Sequence, residues 1–194
     1  MNSLLKTALL ITLTCGLIVF SGYYRSRDLD KRPMHGDEAN QAVRTGILLD
    51  EGRYHYDPTD HHGPVLYYAA VPFCTWSASS FAETTEQNFR WVPLTFSLIT
   101  LLLMLGLYSP AGHALFRNPV GVLTAVALTA LSPAMNYYSR FFIQESMFVT
   151  FLTGMLVCAT VYFKPQANRR QRLWATVGFG AFAGLAAATK ETVV

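Results

Sequence analysis

The sequence predicts an all-α polytopic membrane protein. Of its 194 residues, 52% are hydrophobic and only 14% are charged, whereas a soluble domain carries roughly a quarter charged residues. The apolar residues are also clustered, in runs long enough to cross a hydrocarbon core of about 30 Å. A polar, aromatic, His-rich stretch, Arg32–Tyr68, separates the first run from the others. The net charge of +3 is small and spread over loops, with no basic patch interleaved with aromatics, so nucleic acid is not expected as a partner. Cys15, Cys74 and Cys158 stand apart with no CxxC, which indicates neither zinc nor a disulfide framework.

The first apolar run, about residues 4–22, has Lys6 near its start but no Ala-x-Ala cleavage site after it. It reads as a retained transmembrane helix, with Tyr23, Tyr24, Arg25 and Arg27 as an interfacial belt. The long loop 23–90 follows. Within it, Ala39, Ala42, Val43, Gly46 and Ile47 recur at helical spacing. Asp37 is placed to cap that helix and Gly52 to stop it. The expected product is an amphipathic helix lying apolar face down on a membrane surface, with two adjacent carboxylates, Asp37 and Glu38, at its start. Pro64 suits the first turn of a second, apolar helix that is too short to span alone.

Four further spans are expected at about residues 91–108, 119–138, 143–163 and 173–190. The last is rich in Gly and Ala, which allow close helix approach. The chain stops at Lys190-Glu191-Thr192-Val193-Val194 without a cap or terminator, so a truncated gene product or a fragment of a longer membrane protein is expected. Lys164, Arg169, Arg170 and Arg172 crowd one short loop, and His113 and Arg117 occupy another. The positive-inside rule puts both in the cytoplasm, together with the N-terminus, and puts the loop 23–90 outside.

That topology brings Asp37, Glu38, the turn Ser139–Glu145 and Lys190-Glu191 to one membrane face. A carboxylate such as Glu145 at the mouth of a helix is costly unless paired or wet, and so is a functional candidate; the plain alternative is an interface anchor paired with Arg140. His35, His55, His61 and His62 are candidate metal ligands, although their spacing matches no compact metal motif.

Four segments in order carry a resemblance. They are Arg32-Pro33-Met34-His35-Gly36-Asp37-Glu38-Ala39, His62-Gly63-Pro64-Val65-Leu66-Tyr67-Tyr68, Tyr137 to Phe151, and Gly184 to Thr192. In that order they resemble the GT-C membrane glycosyltransferases. The likeness is to glycosyltransferase family 39, the dolichyl-phosphate-mannose protein mannosyltransferases, with their RgtA/B/C/D-like prokaryotic relatives and a flippase-activity-associated branch. It covers the N-terminal part of such an enzyme. One departure is Glu145, where many relatives carry Asp.

The resemblance implies a GT-C-like transmembrane bundle that moves a sugar from a polyprenyl-phosphate-sugar lipid to a glycan, lipid or protein acceptor outside the cell membrane. Asp37 would be the general base, with Glu38 beside it. Glu145 would position acceptor, metal or phosphate, and Arg140 and Lys190 would hold the donor phosphate. His35, His61 and His62 would contact acceptor or metal, a divalent cation being the one cofactor left open. The alternatives are a transporter or flippase component, or a non-catalytic remnant of such an enzyme. A transporter predicts inverted repeats and broken mid-membrane helices, and the sequence offers neither.

Overall fold

A computed structural model describes residues 3–57, 62–108 and 117–190. Among these residues the chain forms eight α-helices and no sheet, as an all-α membrane protein should. In chain order they are α1 (Ser3–Ser26), α2 (Gly36–Glu51), α3 (Val65–Thr75), α4 (Glu86–Met104), α5 (Pro119–Leu131), α6 (Pro133–Tyr138), α7 (Glu145–Tyr162) and α8 (Arg169–Thr189). His61 and residues 109–116, which include His113, lie outside the described residues.

The helix ends follow from local chemistry. Thr85 and Asn88 form a capping box that starts α4 five residues before Trp91, where the apolar run begins, and this puts Arg90 inside the helix. Asn118 caps α5, with Pro119 at the first helical position. Ser132 and Pro133 repeat that arrangement and start α6. The span expected over 119–138 is therefore broken at Ser132, because Pro133 has no N–H to continue the ladder. Its first piece has 13 residues, about 20 Å at 1.5 Å per residue. Asn168 and Gln171 box the start of α8. Among the described residues, three helical stretches are long and apolar enough to cross a membrane: Thr7–Ser26, Glu86–Leu107 and Glu145–Tyr162. α8 has the length, but its Arg, Gly and Thr residues leave it outside that set.

The long helices pack side by side in the order α5, α1, α4, α7, α8. The outward faces are bare apolar surface, including Leu9, Ile11, Phe20, Leu128, Leu152 and Trp174, as lipid contact requires. α2 and α3 cross one end of this bundle. The main core lies at that end, where Ala42 and Leu48 of α2, Leu66 and Tyr67 of α3, Phe89 and Val92 of α4, Phe142, and Met147 of α7 meet.

α2 does not sit as its apolar spacing predicts. Its buried side is Glu38, Gln41, Ala42, Thr45, Gly46 and Leu48. Val43 and Ile47 are turned away and half-exposed. The apolar stripe is thus split, and a polar row faces the protein, where it is satisfied: Tyr67 Oη donates to Gln41 Oε1 at 2.8 Å and Thr45 Oγ1 to the Gln41 carbonyl at 2.9 Å.

Arg25 also departs from expectation. Rather than sitting in an interfacial belt, it is fully buried. It donates to Asn136 Oδ1 at 2.8 Å, Ser97 Oγ at 2.9 Å and the Ala130 carbonyl at 2.9 Å, tying α1 to α4, α5 and α6.

The segment before α3 is pinned to the far end of α8. Gly63 N–H donates to the Thr189 carbonyl at 3.3 Å, and His62 pairs with Lys190 in an isolated antiparallel bridge. A side chain at 63 would overlap the Ala188 carbonyl, so only glycine fits this approach. Gly63→Ala is expected to push the segment off α8 and destabilise the protein by about 1–3 kcal/mol. A thermal melt in detergent indistinguishable from wild type would show that the contact is not part of the native fold.

Candidate functional site

α2 begins with a capping box two residues earlier than the sequence suggests. The cap is His35, not Asp37: the Asp37 N–H donates to His35 Nδ1 at 3.3 Å, and the His35 N–H donates to Glu38 Oε2 at 3.1 Å. Gly52, with φ 67°, ends the helix as expected. The cap geometry separates the two neighbouring carboxylates. Asp37, at the second helical position, is 72% exposed; Glu38, at the third, is fully buried.

Glu38 lies at the centre of an ionic knot. Its Oε1 accepts from Arg90 Nε at 3.0 Å and the Phe142 N–H at 3.0 Å. Its Oε2 accepts from Arg90 Nη2 at 3.2 Å, Arg32 Nη2 at 2.9 Å and the His35 N–H. Arg90, equally buried, spends its remaining donors on the carbonyls of Leu29, Arg32 and Pro33. Burial alone would push the Glu38 carboxyl up. Arg90 and the Phe142 and His35 N–H groups more than offset this and hold it below the usual glutamate value.

Glu38, expected beside Asp37 in the chemistry, is instead enclosed by five donors and has no free oxygen to offer a substrate. Arg90, its main partner, was not singled out by sequence reasoning. The signal was present: an arginine inside the mouth of an apolar run is an ionisable residue that needs a named partner.

Asp37 faces the other way, onto a cavity of about 660 Å³. Asn40, Val43 and Ile47 of α2 share that wall, and His62, Gln144 and Glu145 line the rest. Asp37 and Glu145 are thus brought to one space. Glu145 pairs with Lys190 at 3.4 Å, each side chain about one-third exposed, so its partner is Lys190 and not Arg140. Gln144 is 2% exposed. Its Nε2 and the adjacent Glu145 Oε2 are buried without a hydrogen-bond partner.

Arg140 is not on this cavity. Its guanidinium donates to the carbonyls of Arg27, at 2.6 Å, and Asp28, at 3.3 Å. It borders a second cavity of about 290 Å³ with Arg32, Arg90, Tyr24 and Tyr137. Arg32 lies 4.5 Å over the Phe141 ring and donates to both Glu38 and the Arg140 carbonyl. His35 rests against Phe141 at 5.6 Å. His55 pairs with Glu51 at 2.7 Å, away from the cavity. Asp37, His62 and Glu145 come from different elements, and among the described residues no three His, Cys, Asp or Glu side chains are gathered closely enough to hold a metal ion.

The knot makes two measurable demands. Removing either partner leaves a buried charge uncompensated, so Arg90→Met and Glu38→Gln should each cost about 3–5 kcal/mol at pH 7. Glu38 titrates in the unfolded chain near 4.3 and lower in the folded one, so its contribution is complete above that value and is lost as pH falls through the folded value. Melting temperatures in detergent should therefore fall steeply below about pH 4. In Glu38→Gln the acid limb should be shallower. Parallel pH profiles for the two proteins would exclude Glu38 as its source.

No curated protein and no solved structure matches the chain significantly. The sequence model of one family, described as dolichyl-phosphate-mannose-protein mannosyltransferase, matches residues 64–194. That stretch covers α3 to α8, including Arg90, Gln144, Glu145 and Lys190, and it is more than half of the chain, which therefore belongs to the dolichyl-phosphate-mannose-protein mannosyltransferase family of GT-C type glycosyltransferases.

Proposed function

We propose that this protein takes part in moving a sugar from a polyprenyl-phosphate-linked donor to an acceptor hydroxyl at the external membrane face, with Asp37 as general base. The observation that carries the reading is the split of the Asp37-Glu38 pair. One carboxylate anchors the fold, and the other stands exposed on the wall of a cavity shared with Glu145.

In this reading Asp37 takes the proton of the acceptor hydroxyl. The freed oxygen attacks the anomeric carbon, the bond from that carbon to the phosphate oxygen breaks, and the polyprenyl phosphate leaves with the bonding electrons. A base must lie about 2.6–3.2 Å from the proton's heavy atom, or one water away, and an exposed side chain at a helix start is free to reach it. Lys190, paired with the cavity residue Glu145 and bridged to His62, would answer the charge growing on the phosphate. Val43 and Ile47 continue the cavity as apolar wall, along which a lipid tail can lie while its headgroup stays wet. Arg140 serves the neighbouring cavity and holds the 27–28 segment.

The same reading takes α1, α4, α5 with α6, α7 and α8 as five crossings, with the N-terminus cytoplasmic and the cell membrane as the site of action.

Two measurements test it. Asp37→Asn in the full-length protein should lower turnover by roughly 10²–10⁴-fold. Its melting temperature should stay at the wild-type value, because the side chain is exposed and accepts from no buried group. Transfer at the wild-type rate would remove Asp37 from the chemistry. For orientation, single cysteines at Ser79 and Gln166, both exposed, are placed in a background without Cys15, Cys74 and Cys158. A membrane-impermeant thiol reagent on intact cells should label position 79 and not 166; the reverse pattern would overturn the external active face.

A further inference from the structure

Gln144 occupies the N-cap position of α7, yet its side chain makes no cap hydrogen bond. Ser, Thr, Asp or Asn would be the residues to satisfy that helix start. The carboxamide instead lines the Asp37 cavity. It is 2% exposed, and its Nε2 has no acceptor. The next residue has the complementary deficit: Glu145 Oε1 meets Lys190 at 3.4 Å, while Glu145 Oε2 is buried with no donor. Native proteins leave few such groups, and each one needs an explanation.

A donor without an acceptor beside an acceptor without a donor matches one small group that is both, a hydroxyl. The rest of the wall mixes the exposed Asp37 carboxylate, His62 and Arg44 with neutral groups. Asn40 and Gln41 present carboxamides, and Ile143 and Val43 present apolar surface. The two cations nearby are already engaged, Arg44 with Asp57 at 2.8 Å and Lys190 with Glu145. Carboxamides, carboxylate oxygens and apolar patches suit the hydroxyls and ring face of a sugar.

We propose that Gln144 and Glu145 together read one hydroxyl of a neutral sugar bound in this cavity, Gln144 Nε2–H donating to its oxygen and Glu145 Oε2 accepting its proton. The assignment rests on the proposed transferase reading for the sugar's role, but the hydroxyl site itself requires only binding. Gln144 is thereby a specificity-determining residue, because a sugar lacking that hydroxyl leaves both buried groups unpaired.

The test uses the full-length protein in detergent and saturation-transfer NMR with methyl glycosides of mannose, glucose and galactose and their monodeoxy forms. Wild type should bind at least one parent glycoside and weaken roughly 10–100-fold for one particular deoxy position. Gln144→Met, nearly isosteric but without the amide, should bind the parent as weakly as wild type binds that deoxy form, and should no longer distinguish the two. Its melting temperature should hold or rise, because an unpartnered buried donor has been removed. Gln144→Leu serves as a second apolar variant should Met distort the wall. Binding of none of the glycosides by wild type, or an unchanged deoxy profile in both variants, would overturn the proposal. A drop in melting temperature with unchanged discrimination would make Gln144 structural and overturn it equally. A transfer assay with a polyprenyl-phosphate sugar separates the two readings: absent transfer with the deoxy profile intact sinks the transferase function and leaves the hydroxyl site standing.

Discussion

The buried pair between Glu38 and Arg90 is the constraint on which the rest of the structure depends. Two charges withdrawn from water carry a desolvation cost of several kcal/mol each. Their attraction repays it only if every remaining donor and acceptor finds a partner. Here they do: five donors converge on the carboxylate, and the guanidinium holds three carbonyls besides. Those partners come from the loop after α1, the start of α2, the body of α4 and the loop before α7. No one of these segments can shift without stranding a charge. The knot therefore fixes the direction in which α2 leaves the bundle, and with it the position of Asp37 and the cavity beneath.

This explains why α2 ignores its own apolar pattern. Turning Ala39, Val43 and Ile47 inward would carry Glu38 out of reach of Arg90. Burying a few apolar side chains is worth about 1.5–3 kcal/mol apiece, and Val43 and Ile47 remain half-exposed, so part of that gain is forgone. A stranded Arg90 in an apolar surround costs more, and the electrostatic requirement sets the rotation of the helix. The forgone burial leaves an apolar strip beside an exposed carboxylate, a surface suited to a molecule with a lipid tail and a polar head.

The fold class was legible because clustered apolar runs and the scarcity of charge are composition-level signals that no local detail can cancel. Some helix starts were legible too: α3 begins just after Pro64 and α5 at residue 119, whereas the apolar onset at Trp91 missed the true start of α4 at Glu86. What escaped were features set by tertiary partners. Asp37 looked like a cap because caps are read from residue type, whereas His35 does the capping once Glu38 is drawn back to its N–H. Arg25 looked interfacial because it lies among tyrosines and other arginines, and only the approach of α4, α5 and α6 buries it. Arg140 and Glu145 lie five residues apart and looked like a pair, but the tight turn between them faces them onto different cavities.

The same logic separates what must be rigid in this site from what must be free. The cavity draws its walls from α2, the 62–63 segment and the start of α7, with the end of α8 behind them. Each wall is fixed by an interaction outside the cavity: the Glu38 knot for α2, the glycine-only contact of Gly63 with α8, and the Phe142 N–H bond to Glu38 just before α7. Asp37 alone among the cavity's acidic groups is largely exposed, while Glu145 is held by Lys190 and Gln144 is immobilised by burial. A proton acceptor benefits from adjusting to its substrate, and a group that selects a substrate benefits from being unable to adjust. The adjacent acidic residues of α2 divide along a related line, one anchoring the fold and the other standing free, because consecutive positions on a helix point about 100° apart and one of them can be sealed in the protein while its neighbour stays in the open.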